Sequence, residues 1–334
     1  MSDGFRAAWW LRNPHAQTIW GKFLRHEPPV ATRRERWELD DGDFLDLHRL
    51  DAPPGRPRLI MLHGLEGSRR SHYANGFFAE AARLGWAADL LVFRSCGDEP
   101  NRLLRSYHSG ETGDIGYVIS RTVASDPDRP LVLAGVSLGG NVMLKWLGEQ
   151  GDRATRIVVA AAAISTPYDL ALGCRYMERG FSKVYQAHFL RTLRGKAREK
   201  SARFPGQVRM AEIDAARTLW DFDDVMTAPT HGFRDAADYY ARSSSLGYIA
   251  AIRVPTLLLS AVDDPFLPPS VLDDVRERAA GNPALSLEFP PHGGHVGFVS
   301  GGAPWRAGYY AERHAISFLA ARLAARVDAA RAAR

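Results

Sequence analysis

Gly135-Val136-Ser137-Leu138-Gly139 is the stretch on which the fold turns. It follows the apolar run Leu131-Val132-Leu133-Ala134 and precedes a segment with apolar residues at helical spacing, Val142, Trp146 and Leu147 among them. A Gly-x-Ser-x-Gly between a strand and a helix predicts a nucleophile elbow, a turn so sharp that a side chain at either glycine would crowd the neighbouring backbone. The serine hydroxyl then projects into a cleft beside the first N–H groups of the helix, which favour developing negative charge.

A serine nucleophile needs a base, and the base needs a group to orient it. With this elbow the partners are expected in the chain order Ser, acid, His. Pro255-Thr256-Leu257-Leu258-Leu259-Ser260-Ala261 reads as a buried parallel strand, and it runs into Val262-Asp263-Asp264-Pro265-Phe266-Leu267-Pro268. Carboxylates therefore stand just past a strand's C-terminal end, where ligand and catalytic groups gather in open α/β sheets. Farther on, Leu285-Ser286-Leu287-Glu288-Phe289 leads through two prolines to His292-Gly293-Gly294-His295-Val296-Gly297-Phe298. Each partner has a rival. Asp264 is favoured over Asp263 because three residues and a proline follow in the expected pattern, Pro265 to Pro268. His295 is favoured over His292 because Val296-Gly297-Phe298 lets its ring sit on the core side. The His-x-x-His pair also matches metal-ligand spacing, but no third ligand stands nearby, so no metal is expected.

The oxyanion donors come from two places. Leu59-Ile60-Met61-Leu62 reads as another buried strand and ends in His63-Gly64-Leu65-Glu66-Gly67-Ser68. A His-Gly turn after this strand is expected to supply one backbone N–H, from Leu65, and the residue after the nucleophile, Leu138, supplies the other. His63 is read as holding the loop by hydrogen bonding. The loop lacks the Lys-Ser/Thr ending of a P-loop and the full Gly-x-Gly-x-x-Gly of a dinucleotide site, so no phosphate-bearing cofactor is expected.

The remaining pattern is α/β. Trp37 to Leu39, the turn Asp40-Asp41-Gly42-Asp43, and Phe44 to Leu50 read as an antiparallel hairpin at a sheet edge. Parallel strands are expected at 58–63, 87–93, 130–135, 157–164, 255–261 and 285–289, most with a helix between. Ala160 to Ala163 would permit helices to pack closely on both faces. After the sixth strand the strand pattern stops, and between 165 and 250 the sequence is helical and amphipathic, with Phe181, Val184, Tyr185, His188 and Leu193 at three- and four-residue spacing. The organisation read from this is an N-terminal extension (1–34), a first core segment (35–164), a helical cap insertion (165–250) and a second core segment (251–334). The cap's apolar residues are read as cap-to-core packing. Its basic run, Arg191, Arg194, Lys196, Arg198, Lys200 and Arg203, is read as a solvated face. Whether the cap or the aromatic N-terminus (Trp9, Trp10, Ile19, Trp20, Phe23) touches lipid is left open by sequence.

Composition bounds the function classes. The chain has 334 residues, 46% hydrophobic, ample for one large core. A net charge of +5 comes mostly from Arg interleaved with Ala, without the basic face or interleaved aromatics of a nucleic-acid module. Two cysteines, Cys96 and Cys174, are too few for a disulfide framework and fit a reducing cytoplasm. No secretory signal or run of about 18 apolar residues is seen, so neither export nor a spanning helix is expected.

Several blocks together resemble the α/β-hydrolase superfamily and, within it, the YheT-type hydrolases of bacteria with their plant and animal relatives. These are Asn13-Pro14-His15-Ala16-Gln17-Thr18-Ile19-Trp20-Gly21, Phe93 to Arg102, Tyr107-His108-Ser109-Gly110-Glu111-Thr112, Phe222-Asp223-Asp224 with Thr227-Ala228-Pro229 and His231-Gly232-Phe233, and Asp263-Asp264-Pro265-Phe266. They span about residues 10 to 300. One block departs: Arg94-Ser95-Cys96-Gly97-Asp98 stands where an Arg-Gly-Cys-Ser-Gly type of run is usual. The resemblance implies a carboxylesterase acting on short- to medium-chain acyl esters, monoacylglycerol-like lipids among them, with Ser137, Asp264 and His295 as triad and no cofactor. A thioesterase or acyltransferase would use the same triad, and a noncatalytic binding scaffold is the reading from another class.

Overall fold

The central strands alternate their side chains between two apolar layers, and that alternation builds the molecule. In a computed structural model that describes residues 4–25 and 27–332, eight strands form one sheet: β1 (Arg33–Glu38), β2 (Phe44–Leu50), β3 (Arg58–Leu62), β4 (Ala87–Val92), β5 (Leu131–Val136), β6 (Val158–Ile164), β7 (Thr256–Leu259) and β8 (Leu285–Glu288). Their order is β1-β2-β4-β3-β5-β6-β7-β8. β1 and β2 pair antiparallel, β2 joins β4 antiparallel, and every pairing from β4 onward is parallel. This is an α/β-hydrolase architecture. The outermost residues of the 1–34 and 251–334 segments, 1–3 and 333–334, lie outside the described residues, as does residue 26.

Period-two geometry sends neighbouring side chains to opposite faces. Ile60, Leu62, Leu133, Ala161 and Ala163 enter one core, and Leu59, Met61, Val132, Ala160 and Ala162 enter the other. Helices α1 (Pro14–Leu24), α2 (His72–Arg83), α3 (Gly113–Ser125), α4 (Leu138–Gln150) and the short α5 (Asp152–Thr155) precede the cap. α3 and α4 cover the first face through Ile115, Val118, Val142 and Leu147. α2 covers the second through Phe77 and Phe78. The four alanines of β6, all fully buried, are what let helices close on both sides.

Between β6 and β7 every regular element is helical: α6 (Leu170–Tyr176), α7 (Ser182–Arg203), α8 (Met210–Ala215), α9 (Leu219–Phe222), a π-helical turn Asp223–Thr227, α10 (Ala228–Thr230), α11 (Ala236–Ser243) and a 3-10 turn Ser245–Ala251. This cap has its own apolar cluster around Leu190, Ile213, Phe222, Tyr239 and Tyr240. Fully buried Asn141 of α4 ties the cap to the sheet. Its amide donates to Ser109 O and Ser243 O, each at 2.8 Å, and its carbonyl accepts from Ser245 N at 2.8 Å. α12 (Ser270–Ala279) and α13 (Tyr310–Ala332) complete the flanking layers, and β9 (Val299–Ser300) with β10 (Gly308–Tyr309) makes a small separate ribbon.

Two local expectations change. β1 starts at Arg33, four residues before Trp37, because its arginines are satisfied by ion pairs: Arg36 Nε reaches Asp46 at 2.8 Å, and Arg33 Nε reaches Asp51 at 2.7 Å. The basic run of the cap is not one solvated face. Arg191 and Arg198 are exposed, but Lys200 is buried, with its ammonium on Asn101 Oδ1 at 2.5 Å, and burial pulls it down to about 8. Lys196 also turns inward, onto Glu66 at 2.6 Å.

Candidate active site

The turn from β5 into α4 places Ser137 at φ +53°, ψ −122°, a conformation that non-glycine residues rarely adopt and that costs of order 1–3 kcal/mol. The flanking residues explain how it is held. A Cβ on Gly139 would stand 2.5 Å from the carbonyl oxygens of Leu62 and His63, and one on Gly135 would stand 2.6 Å from Gly139 O. Only glycine allows this packing of α4 against β3 and its own strand. Ser137 N–H donates to Ile164 O at 2.8 Å, which pins the elbow to β6.

Ser137 Oγ lies 2.9 Å from His295 Nε2, and His295 Nδ1 lies 2.8 Å from Asp264 Oδ2. An ionised carboxylate only accepts hydrogen bonds, so Nδ1 carries the proton and Nε2 presents its lone pair to the serine hydroxyl. Asp264 and His295 are both buried, and the other carboxylate oxygen, Oδ1, accepts from Phe266 N at 2.8 Å. The rivals lie elsewhere. Asp263 Oδ1 accepts from Gly294 N at 2.9 Å and its Oδ2 faces Nδ1 of exposed His292 at 3.2 Å, so this pair braces the histidine loop from outside.

That loop is strained and held from several sides. Val296 has φ +62°, unusual for a β-branched residue, and its N–H donates to Ser165 Oγ at 2.9 Å. His295 N–H donates to Thr18 Oγ1 of α1 at 2.9 Å. Buried Gln17, one residue earlier, holds Val299 at both ends, accepting from its N–H at 2.7 Å and donating to its carbonyl at 3.0 Å. The Phe266 ring stacks on the His295 imidazole, with centroids 4.0 Å apart and planes 16° from parallel. Sequence reasoning did not single out Thr18 or Phe266 for this bracing. Both stood in quoted motifs, but the contact of α1 with a loop 277 residues away has no local signal.

The His63–Gly67 loop faces the elbow. Fully buried His63 accepts from Phe93 N at Nε2 (3.1 Å) and donates from Nδ1 to Gly64 O (2.8 Å). Burial pulls this imidazole down to about 4, so it stays neutral and structural. Gly64 N donates to Tyr73 OH at 2.8 Å and Glu66 N to Tyr107 OH at 3.0 Å. Among the described residues, the intervening Leu65 N–H and the Leu138 N–H at the head of α4 have no protein acceptor. Glu66, at φ +55°, is fixed by its side chain: Oε1 accepts from Tyr107 OH at 2.7 Å and from Lys196 Nζ at 2.6 Å. A cap helix thus reaches the loop that carries Leu65.

Ser95 takes φ +66°, so the position where the resembled motif carries glycine adopts the backbone that glycine favours. Cys96 and Cys174 are free and buried, with burial pushing their thiols up to about 11 and 12. Neither is poised to act as a thiolate. Ser137, Leu65, Leu138 and His295 all border one cavity of about 960 Å³ roofed by α6 and α7. Its walls are mostly aliphatic and aromatic, with Met177, Phe189, Leu219, Phe222 and Met226 among them.

Comparison with known proteins fits this arrangement. Residues 57–302 match the alpha/beta hydrolase fold family. YheT of Escherichia coli (strain K12), which carries an esterase name, is 37% identical over 294 residues, covering 86% of this chain and 85% of the relative. Phospholipase ABHD3 of Mus musculus is 28% identical over 312 residues, 90% of this chain and 74% of the relative. Among solved structures, DcsB in complex with its substrate analogue superimposes with a TM-score of 0.57 at 15% identity, covering 88% of this chain and 100% of that one. The Pyrococcus furiosus esterase Pf2001 gives 0.53 at 16% identity, covering 81% and 91%. Such distant structural likenesses bear on fold alone. From the matched span and the YheT likeness, the chain belongs to the alpha/beta hydrolase fold family, in its esterase/lipase-type, YheT-like branch.

Proposed function

We propose that this protein is a serine hydrolase of carboxylic esters that works through an acyl-enzyme on Ser137. The observation that carries the reading is the hydrogen-bonded series Asp264–His295–Ser137 bordering an apolar cavity. His295 Nε2 takes the hydroxyl proton as Ser137 Oγ attacks the ester carbonyl. Asp264 keeps the imidazole tautomer and stabilises the imidazolium, and the N–H groups of Leu65 and Leu138 hold the oxyanion. His295 then gives the proton to the leaving alcohol, and water, activated by the same base, releases the acid. No cofactor has a part in this scheme. The two free cysteines fit the reducing compartment proposed for the protein, the cytoplasm.

The apolar cavity and the family likeness support short- to medium-chain acyl esters as substrates, monoacylglycerol-like lipids among them. Each buried methylene contributes about 0.8 kcal/mol, so kcat/KM should climb by up to roughly fourfold per carbon until the cavity is full. A p-nitrophenyl ester series tests this directly. The expected profile rises from acetyl, peaks at about four to eight carbons, and then falls. A flat profile would remove the cavity from acyl recognition. Negligible ester turnover beside rapid acyl-thioester cleavage would make the protein a thioesterase.

A further inference from the structure

Two helices leave apolar side chains in water at the edge of the candidate active-site cavity. On α1, Ile19, Lys22 and Phe23 share one face at i, i+3 and i+4, and on α7, Phe181 at its start, Val184, His188 and Arg191 follow one stripe. All seven border the cavity. Phe23 is 66% exposed, Val184 55% and Phe181 51%, although the spacing of the α7 pair predicts packing against the core. The two helices meet at this edge: the His15 ring lies 4.8 Å from Phe181 and 5.8 Å from Tyr185. They are also joined by Lys22 Nζ, 3.5 Å from His188 Nε2, while Arg191 contacts His188 Nδ1 at 3.2 Å.

The two cations on this rim stand outside any ion pair. Among the described residues, no carboxylate lies within 4.0 Å of Lys22 or Arg191, whereas Arg33, Arg36 and Arg49 of β1 and β2 sit in ion pairs. Two cations gathered on one imidazole repel each other unless an anion approaches. Exposed phenylalanines interleaved with free cations are the chemistry of a surface that dips into the headgroup region of a bilayer. No helix among the described residues is long and apolar enough to cross a membrane, so contact of this kind would be peripheral.

We propose that the α1/α7 rim docks on an anionic lipid bilayer and opens the cavity towards it, so that acyl esters pass from lipid to Ser137 without crossing water. What is delivered rests on the ester-hydrolase reading above; the docking itself rests on the rim alone. The observations favour a membrane over a second copy of the chain because a self-complementary contact would bring the unpaired cations of two rims together.

Flotation of the full-length Ser137→Ala protein with phosphatidylcholine vesicles, with and without phosphatidylglycerol, tests this apart from catalysis. The expected result is strong partitioning to the anionic vesicles that weakens as salt is raised. The pair Lys22→Gln/Arg191→Gln should lose about 25-fold in partition coefficient, roughly fivefold per cation. Phe23→Ser/Phe181→Ser should lose at least about tenfold even at low salt. Unchanged thermal unfolding of these exposed-site variants shows that they are folded. Equal binding to neutral and anionic vesicles, or variants that bind like their parent, would overturn the proposal. So would a vesicle-free dimer that the same substitutions abolish. If docking holds while Ser137 proves unreactive towards ester analogues, the hydrolase reading alone fails.

Discussion

Replacing Asp264 by asparagine changes one atom, and the structure states what that atom does. Oδ1 accepts from Phe266 N–H at 2.8 Å and Oδ2 from His295 Nδ1–H at 2.8 Å. In Asp264→Asn the Phe266 N–H keeps the amide oxygen on its own side, which turns the amide NH2 towards His295. Nδ1 must then accept, the ring proton moves to Nε2, and Ser137 faces a donor where it needs an acceptor. Wrong-tautomer triads lose about 10⁴ in kcat, equivalent to roughly 5.5 kcal/mol of barrier. Asp263→Asn is the control. Its Oδ1 can still accept from Gly294 N, and its NH2 can meet the exposed His292 ring, which is free to change tautomer. The cost there should be about one hydrogen bond, less than roughly tenfold in rate. Steady-state hydrolysis of a p-nitrophenyl ester by both variants, with circular dichroism to confirm folding, gives the ranking. A loss in Asp263→Asn equal to or larger than that in Asp264→Asn would refute the argument.

Other predictions concern the frame around the site. Gly139→Ala should cost more than about 3 kcal/mol or prevent folding, because its Cβ meets two backbone oxygens that cannot retreat, whereas Gly195→Ala in α7, with open space around it, should gain about 0.5–1 kcal/mol; thermal unfolding reads both. Lys196→Met leaves Glu66 without its cation, and kcat should drop by roughly tenfold with KM little changed, while Lys196→Arg restores most of it; a fall confined to KM would place Lys196 in substrate binding instead. Stability should fall on acidification. Burial lowers His63 and His72 to about 4 from 6.5, so between these values the unfolded chain binds more protons, and the contribution complete above about pH 6.5 is lost at about 1.4 kcal/mol per pH unit for each histidine. Buried Asp223, raised to about 6, works the other way, since its contribution is lost as pH rises through 6, but it is one group against three, because burial lowers His108 as well. Urea unfolding at pH 7 and pH 5 should show the loss; equal stability would contradict it.

The parts of this protein that are legible in its sequence are those whose physics is local. Leu131–Val136, Val158–Ile164 and Thr256–Leu259 are continuous apolar runs because both sheet faces are covered, and a strand buried on both sides announces itself. The elbow is legible because two glycines are forced by close backbone approach. The order of Ser137, Asp264 and His295 follows from sheet topology, and these three side chains meet in the structure. β1, Arg-Arg-Glu-Arg-Trp-Glu, is half hidden because an edge strand can be satisfied by ion pairs that no periodicity reveals. Lys196 and Lys200 look like solvent-facing residues of a basic helix, and only the arrival of Glu66 and Asn101 from distant loops turns them inward. Phe181 and Val184 mislead in the opposite sense, with core spacing but water around them. For the two lysines the deciding partner lies far away in the chain, 130 and 99 residues from them.

The central claim is that Ser137 is the nucleophile, and fluorophosphonate labelling tests it most directly. The reagent reacts with a serine only where a base and an oxyanion site act on it together. Intact-mass and peptide mass spectrometry of the wild-type protein should show a single adduct on Ser137, absent from Ser137→Ala and strongly slowed in His295→Ala. An adduct on another serine, or wild-type protein left unlabelled while folded, would contradict the account.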